Sequence, residues 1–178
     1  TKMARKTSNE QMRKRLWPEV DESQLWMSNK RSGFTQIPRG LSLVNRMIDR
    51  LSVGKPVSNV YFALWCNLFD NAVVRIDNPT TSSFEAGFSG PRAVTTWKNR
   101  MRILADLGII KIAPGPSGEF GAVLMLDPYK SLISLKQTGK LKGLEVEFNA
   151  LMDRFDKANP KDNFHAESVH VEAVQTQL

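Results

Sequence analysis

The residues that could carry covalent or acid–base chemistry are few and scattered. The sequence has one cysteine, Cys66, and two histidines, His165 and His170. Both histidines follow Asn159-Pro160 in a polar stretch, and Cys66 lies in an apolar helical segment where it reads as a core residue. Neither arrangement sets a nucleophile beside a base, no spacing of His, Cys, Asp and Glu suits a metal, and no glycine-rich phosphate loop occurs. Asp70, Asp77 and Asp127 mark turns and need no catalytic role. The expectation is a protein that is not an enzyme and uses neither cofactor nor metal.

What the side chains do offer is charge and hydrogen bonding. Arg92, Thr95, Thr96, Asn99 and Arg102 recur at spacings that bring them to one side of a helix, flanked by Lys98 and Arg100. A second basic cluster, Lys2, Arg5, Lys6, Arg13, Lys14 and Arg15, lies near the start. The net charge is +7, and clustered Lys and Arg attract polyanions by releasing their counterions.

The elements that must position the first group follow from periodicity. A chain of 178 residues, 41% of them hydrophobic, has room for one core with appendages. After Pro38, Leu41, Val44, Ile48 and Leu51 predict an amphipathic helix that ends at Gly54-Lys55-Pro56. Ser58 is placed to cap a second helix, with Val57 and Phe62 as a hydrophobic staple and Val60, Tyr61, Leu64, Trp65 and Leu68 as its apolar surface. Val73 to Ile76 predicts a short strand closed by Asp77-Asn78-Pro79. Ser82 and Glu85 have the spacing of a capping box and predict a very short helix stopped by Gly87.

The turn Gly87-Phe88-Ser89-Gly90 leads to a helix from Pro91 to Leu107. In it, Val94, Trp97, Met101 and Leu104 form a buried stripe opposite the polar side chains. Gly108 ends this helix in a left-handed conformation while Ile109 packs back on Leu104. Two β-prone runs, Ile109 to Ala113 and Phe120 to Leu126, make a hairpin whose loop is Pro114-Gly115-Pro116-Ser117-Gly118.

Over about Ile37 to Leu126 this order resembles the winged helix-turn-helix superfamily of bacterial DNA-binding regulators. The most specific stretch is Trp97 to Ile112, "WKNRMRILADLGIIKI", which looks like the end of a recognition helix passing through a Leu-Gly-Ile corner into the wing. The resemblance implies a mainly α fold with a small antiparallel β wing, whose second turn-motif helix enters the major groove of double-stranded DNA. Carried onto this chain, it implies that Arg92, Thr95, Thr96 and Asn99 face the bases, while Lys98, Arg100 and Arg102 lie closer to phosphate. Arg92 then suits guanine O6 and N7, Asn99 suits adenine N6 and N7, and the threonine methyls suit thymine. Ser89 and the amides near Pro91 would meet phosphate. The wing departs from the pattern, because Ala113 to Glu119 has no Lys or Arg and includes Glu119. Lys111 at its base, and Lys2, Arg5 and Lys6 of the amino-terminal arm following a groove, would supply positive charge.

The expected organisation is a basic, partly ordered amino-terminal arm over 1–33, the winged helix-turn-helix domain over 34–128, carboxy-terminal helices over 129–158 and a disordered tail over 159–178. Trp17 and Trp26 are costly to leave wet, so this part of the arm is expected to fold back onto the domain. In the last helix, Leu144, Phe148, Leu151 and Phe155 form a stripe expected either to pack against Trp17, Trp26 or the first helices or, the favoured reading, to pair two copies into a homodimer. No apolar run is long enough to span a membrane and no secretory signal opens the chain, so the expected location is the cytoplasm, at the nucleoid. The function expected is sequence-specific DNA binding as a transcriptional regulator. Alternatives are a replication initiator or partition protein of a plasmid or other mobile element, and a winged-helix protein-interaction module.

Overall fold

The computed structural model describes residues 2–158, with the side chains of 2–7, 70 and 158 left out. The described part is mainly helical with a small three-stranded antiparallel sheet, and it divides into two units that meet between Phe34 and Thr35 in the sequence. The tail expected over 159–178, with His165 and His170, lies outside the described residues.

The first unit opens with helix α1 (Lys2–Leu16), within the stretch expected to be a partly ordered basic arm. Ala, Met, Gln, Glu, Lys and Arg dominate this stretch, and all favour helix without needing a packed face. Glu10 and Lys14, one turn apart, support it with a 2.8 Å ion pair. Glu22 holds Arg13 at 2.7 Å and Lys30 at 3.1 Å, which ties the following turns to the helix end. Trp26 meets Phe34 edge-on at 6.5 Å, yet Trp17 and Trp26 remain more than half exposed.

The second unit begins with α2 (Leu41–Leu51), which buries Leu41, Val44, Met47 and Ile48. Helix α3 (Ser58–Cys66) follows, but its amino terminus is not held by Ser58 or by a staple. The Asp49 carboxylate of α2 accepts hydrogen bonds from Val57 N (2.7 Å), Ser58 N (2.8 Å) and Ser58 Oγ (2.6 Å), and Phe62 is 47% exposed. An anion at these free amides does a cap's work from another helix. Cys66, expected in the core, is exposed, because it shares the outer side of α3 with Phe62 four residues earlier.

Strand β1 (Val73–Arg75) precedes α4 (Pro79–Glu85). This helix starts three residues before the Ser82 box, because Asn78 caps it through Thr80 N at 2.9 Å and Pro79 occupies its first turn. Ser83 is buried and donates its hydroxyl to Thr80 O instead. Helix α5 (Ala93–Asp106) packs on α4 and α3.

Strands β2 (Ile110–Gly115) and β3 (Gly118–Met125) complete the sheet in the order β1-β3-β2. Their pairing extends further than expected, so only Pro116 and Ser117 are left in the turn. At its base the two backbones nearly touch: a Cβ on Gly121 would lie 2.4 Å from Gly115 Cα. Glycine at both places is what lets the bulged hairpin close.

Helices α6 (Pro128–Gln137) and α7 (Glu145–Ala158) close the core from the side of α2. Asp127 caps α6 through Tyr129 N and Lys130 N. Leu144, Phe148, Leu151 and Phe155 are each no more than 8% exposed within the single chain. That stripe therefore does not form the homodimer surface expected of it, since α7 packs on α2 instead. Glu147 seals the contact through Arg50 and through Arg46 at 3.5 Å, and Arg154 Nε donates to Arg39 O at 3.1 Å. None of the described helices is long and apolar enough to cross a membrane.

Candidate nucleic-acid interface

Helix α5 is fixed from beneath by Trp97, Met101 and Leu104, each no more than 1% exposed, with Val94 half-buried beside them. Its carboxy terminus is stopped as the local sequence predicts. Gly108 takes φ of 70°, Ile109 N donates to Leu104 O at 3.2 Å, and Gly108 N donates to Ala105 O at 2.9 Å. Ser131 Oγ on α6 takes up Gly108 O at 2.8 Å, so the corner between α5 and β2 is held from both sides.

With that face anchored, the opposite one projects outward. Arg92 at the cap, Thr95, Asn99 and Arg102 are exposed, and Thr96, Lys98 and Arg100 are half-buried. Ser89 is exposed in the turn between α4 and α5. Asp106, in the last turn, is the helix's one carboxylate. The Arg100 Nε is buried without a hydrogen-bond partner among the described residues, which leaves a charged donor to be satisfied.

The structure joins two of these side chains, Arg102 and Lys98, to the hairpin, and Asn99 to Arg102, which periodicity did not foresee. Arg102 Nη1 donates to Asn99 Oδ1 at 3.2 Å, and its Nη2 lies 3.4 Å from Glu119 Oε2. Phe120, 3% exposed, sits below them: its ring meets Trp97 at 5.7 Å, while Arg102 Cζ and Lys98 Nζ lie 5.0 Å and 5.7 Å from its centroid. One aromatic side chain thus couples the buried stripe of α5, two of its cations and β3. Glu119 serves here as a tether for Arg102. The only sequence signal for it was an acid in a wing expected to be basic.

Lys111 is not part of this group. Its neighbour Ile110 is buried, so Lys111 points to the other face of the sheet, where it is exposed opposite Leu124. Lys2, Arg5 and Lys6 lie along α1 in the other unit, and their side chains fall outside the described residues.

Among the described residues no group of three or more His, Cys, Asp or Glu side chains comes together as a metal site. No family model, curated protein or solved structure matches the chain.

Proposed function

We propose that this protein binds double-stranded DNA in a sequence-specific manner as a winged helix-turn-helix protein, with α5 as its recognition helix, and acts as a transcriptional regulator. The observation that carries the reading is the outward face of α5. Seven cationic or hydrogen-bonding side chains from Arg92 to Arg102 stand there on a helix anchored by three buried side chains. Two further features support it. The elements run α3, β1, α4, α5, β2, β3 with sheet order β1-β3-β2, and the hairpin is clasped to α5 through Arg102 and Phe120.

In this reading the amino-terminal half of α5 meets the base edges. Arg92 offers its planar fork to guanine, and Thr95 and Thr96 offer methyl groups to thymine. Asn99 Oδ1 already accepts from Arg102, so its amide N–H groups are the part left to read an acceptor such as purine N7. Arg100 and Lys98 serve phosphate.

The test is binding of the purified chain to a random duplex pool, followed by sequencing of the retained fraction and titration of a selected site. Affinity for the selected duplex is expected to fall steeply with salt. Arg92→Ala is expected to cost about 1–3 kcal/mol on the selected site and much less on an unrelated duplex. No affinity at low salt would overturn DNA binding, and equal losses on both duplexes would overturn base reading. The position of the selected site relative to promoters, replication origins or partition loci separates a regulator from an initiator or partition protein.

A further inference from the structure

Strand β1 pairs on one side only, with β3, and is an open edge of the sheet. Ile76 continues it, donating its N–H to Gly121 O at 3.0 Å and accepting the Ser117 hydroxyl at its own carbonyl. Both backbone groups of Ile76 therefore face the β2–β3 hairpin. By the alternation of an antiparallel strand, those of Arg75 face away from β3, and Asp77 follows at the bend where the chain turns toward α4.

Along that free edge runs an open groove of about 600 Å³, lined by Asn67, Phe69, Asn71, Val73, Arg75 and Asp77. Its walls come from β1, from the 3-10 turn Asp70–Ala72 that leads into it and from the bend that follows it at Asp77. Phe69 is 84% exposed there and Val73 38%. Arg75 and Asp77 are both exposed, and neither joins a salt bridge among the described residues.

We infer that this edge pairs with the same edge of a second copy of the chain, antiparallel across a two-fold axis at Ile76. The charge pattern selects both occupant and register. With Ile76 opposite Ile76 of the other copy, Arg75 stands directly opposite Asp77, and the two-fold axis repeats the pair. A register centred on Arg75 would set two arginines against each other, which disfavours it. In the selected register the outward backbone groups of Arg75 meet the start of the Asp77 bend of the other copy, which covers edge groups that otherwise invite uncontrolled pairing. The chain turns into α4 at Asn78-Pro79, which ends the ladder on one side, so the interface is short and the dimer weak. The inference stands independently of the DNA reading.

The test is sedimentation equilibrium of the full chain without DNA, from about 1 µM to about 200 µM, the range in which a small interface assembles. A monomer–dimer equilibrium is expected. Arg75→Asp and Asp77→Arg should each weaken it by about tenfold or more, because each turns two attractive pairs into repulsive ones. The double variant carrying both changes should restore it, since the exchanged charges face each other again. Both positions are exposed, and unchanged circular dichroism and Tm will confirm folding of all three variants. A wild-type chain that stays monomeric throughout, a dimer indifferent to the single changes, or a double variant that fails to recover would each overturn the inference.

Discussion

Glu119→Gln offers the sharpest view of how the hairpin and α5 act together. Glu119 places a negative charge 3.4 Å from Arg102, the cation at the hairpin side of the α5 face, and both side chains are at least half exposed. Glutamine keeps the shape and can still accept a hydrogen bond from the guanidinium, so the substitution isolates the charge. An exposed pair of this kind is worth about 0–1 kcal/mol to folding, so Tm should move by no more than a few degrees. Binding should respond more. A carboxylate held about 8 Å from a phosphate in water costs about 0.5 kcal/mol, and a second phosphate at similar range brings the total to about 1 kcal/mol. Removing it should tighten binding to any duplex by about two- to fivefold at low salt. Raising salt from about 50 mM to about 200 mM should shrink the gain, because the screening length falls below the separation. Fluorescence anisotropy of a labelled duplex, selected and unrelated, measures all of this. Unchanged or weaker binding at low salt would refute the placement of the hairpin beside DNA phosphates.

Three further predictions address the scaffold. Gly121→Ala should destabilise by about 3 kcal/mol or more, since its Cβ would meet Gly115 backbone at 2.4 Å; Gly115→Ala, whose nearest contact is 3.0 Å, should cost less, and denaturant unfolding checks the order. Asp49→Ala removes the acceptor of three hydrogen bonds at the start of α3, and the loss should be about 2–3 kcal/mol, read as a Tm drop of roughly 4–12 °C. Glu147 is held below the ordinary carboxylate range, first by a backbone N–H at the start of α7 and, against some burial, by Arg50 and Arg46. A carboxyl depressed in the folded state stabilises above its unfolded pKa and loses that contribution as pH falls through the folded one. Thermal melts from about pH 6 down to about pH 3 should therefore decline less steeply in Glu147→Gln than in the wild type; parallel curves would show that Glu147 does not set the acid response.

What could be read in the sequence was what is local. Helix α5 falls within two residues of its expected bounds, because its stop is written in Leu104, Gly108 and Ile109, all within one turn. Helix α2 was equally plain from its spacing. Helix α4 was misplaced where two local signals overlapped: Asn78-Pro79 outcompeted Ser82-Glu85, since proline's fixed φ favours the earlier start. Helix α3 has apolar residues nearly all round, so its period could not say that Phe62 and Cys66 point outward.

Contacts between distant segments were hidden for a different reason. The spacing of Leu144, Phe148, Leu151 and Phe155 correctly marks a face that must be covered, but periodicity carries no label for the partner, and α2 in the same chain covers it. The same distinction bears on α5. Its buried stripe has its partners in the fold, including Phe120 against Trp97, so its outward face is a surface left over after the core is complete. A leftover polar face is ordinary. What sets this one apart is that its cations are held in place, Arg102 by Asn99, Glu119 and the Phe120 ring, and Lys98 by the same ring. Side chains ordered before a ligand arrives lose less entropy when they bind it, and that is the physical ground for expecting an anionic partner on this face.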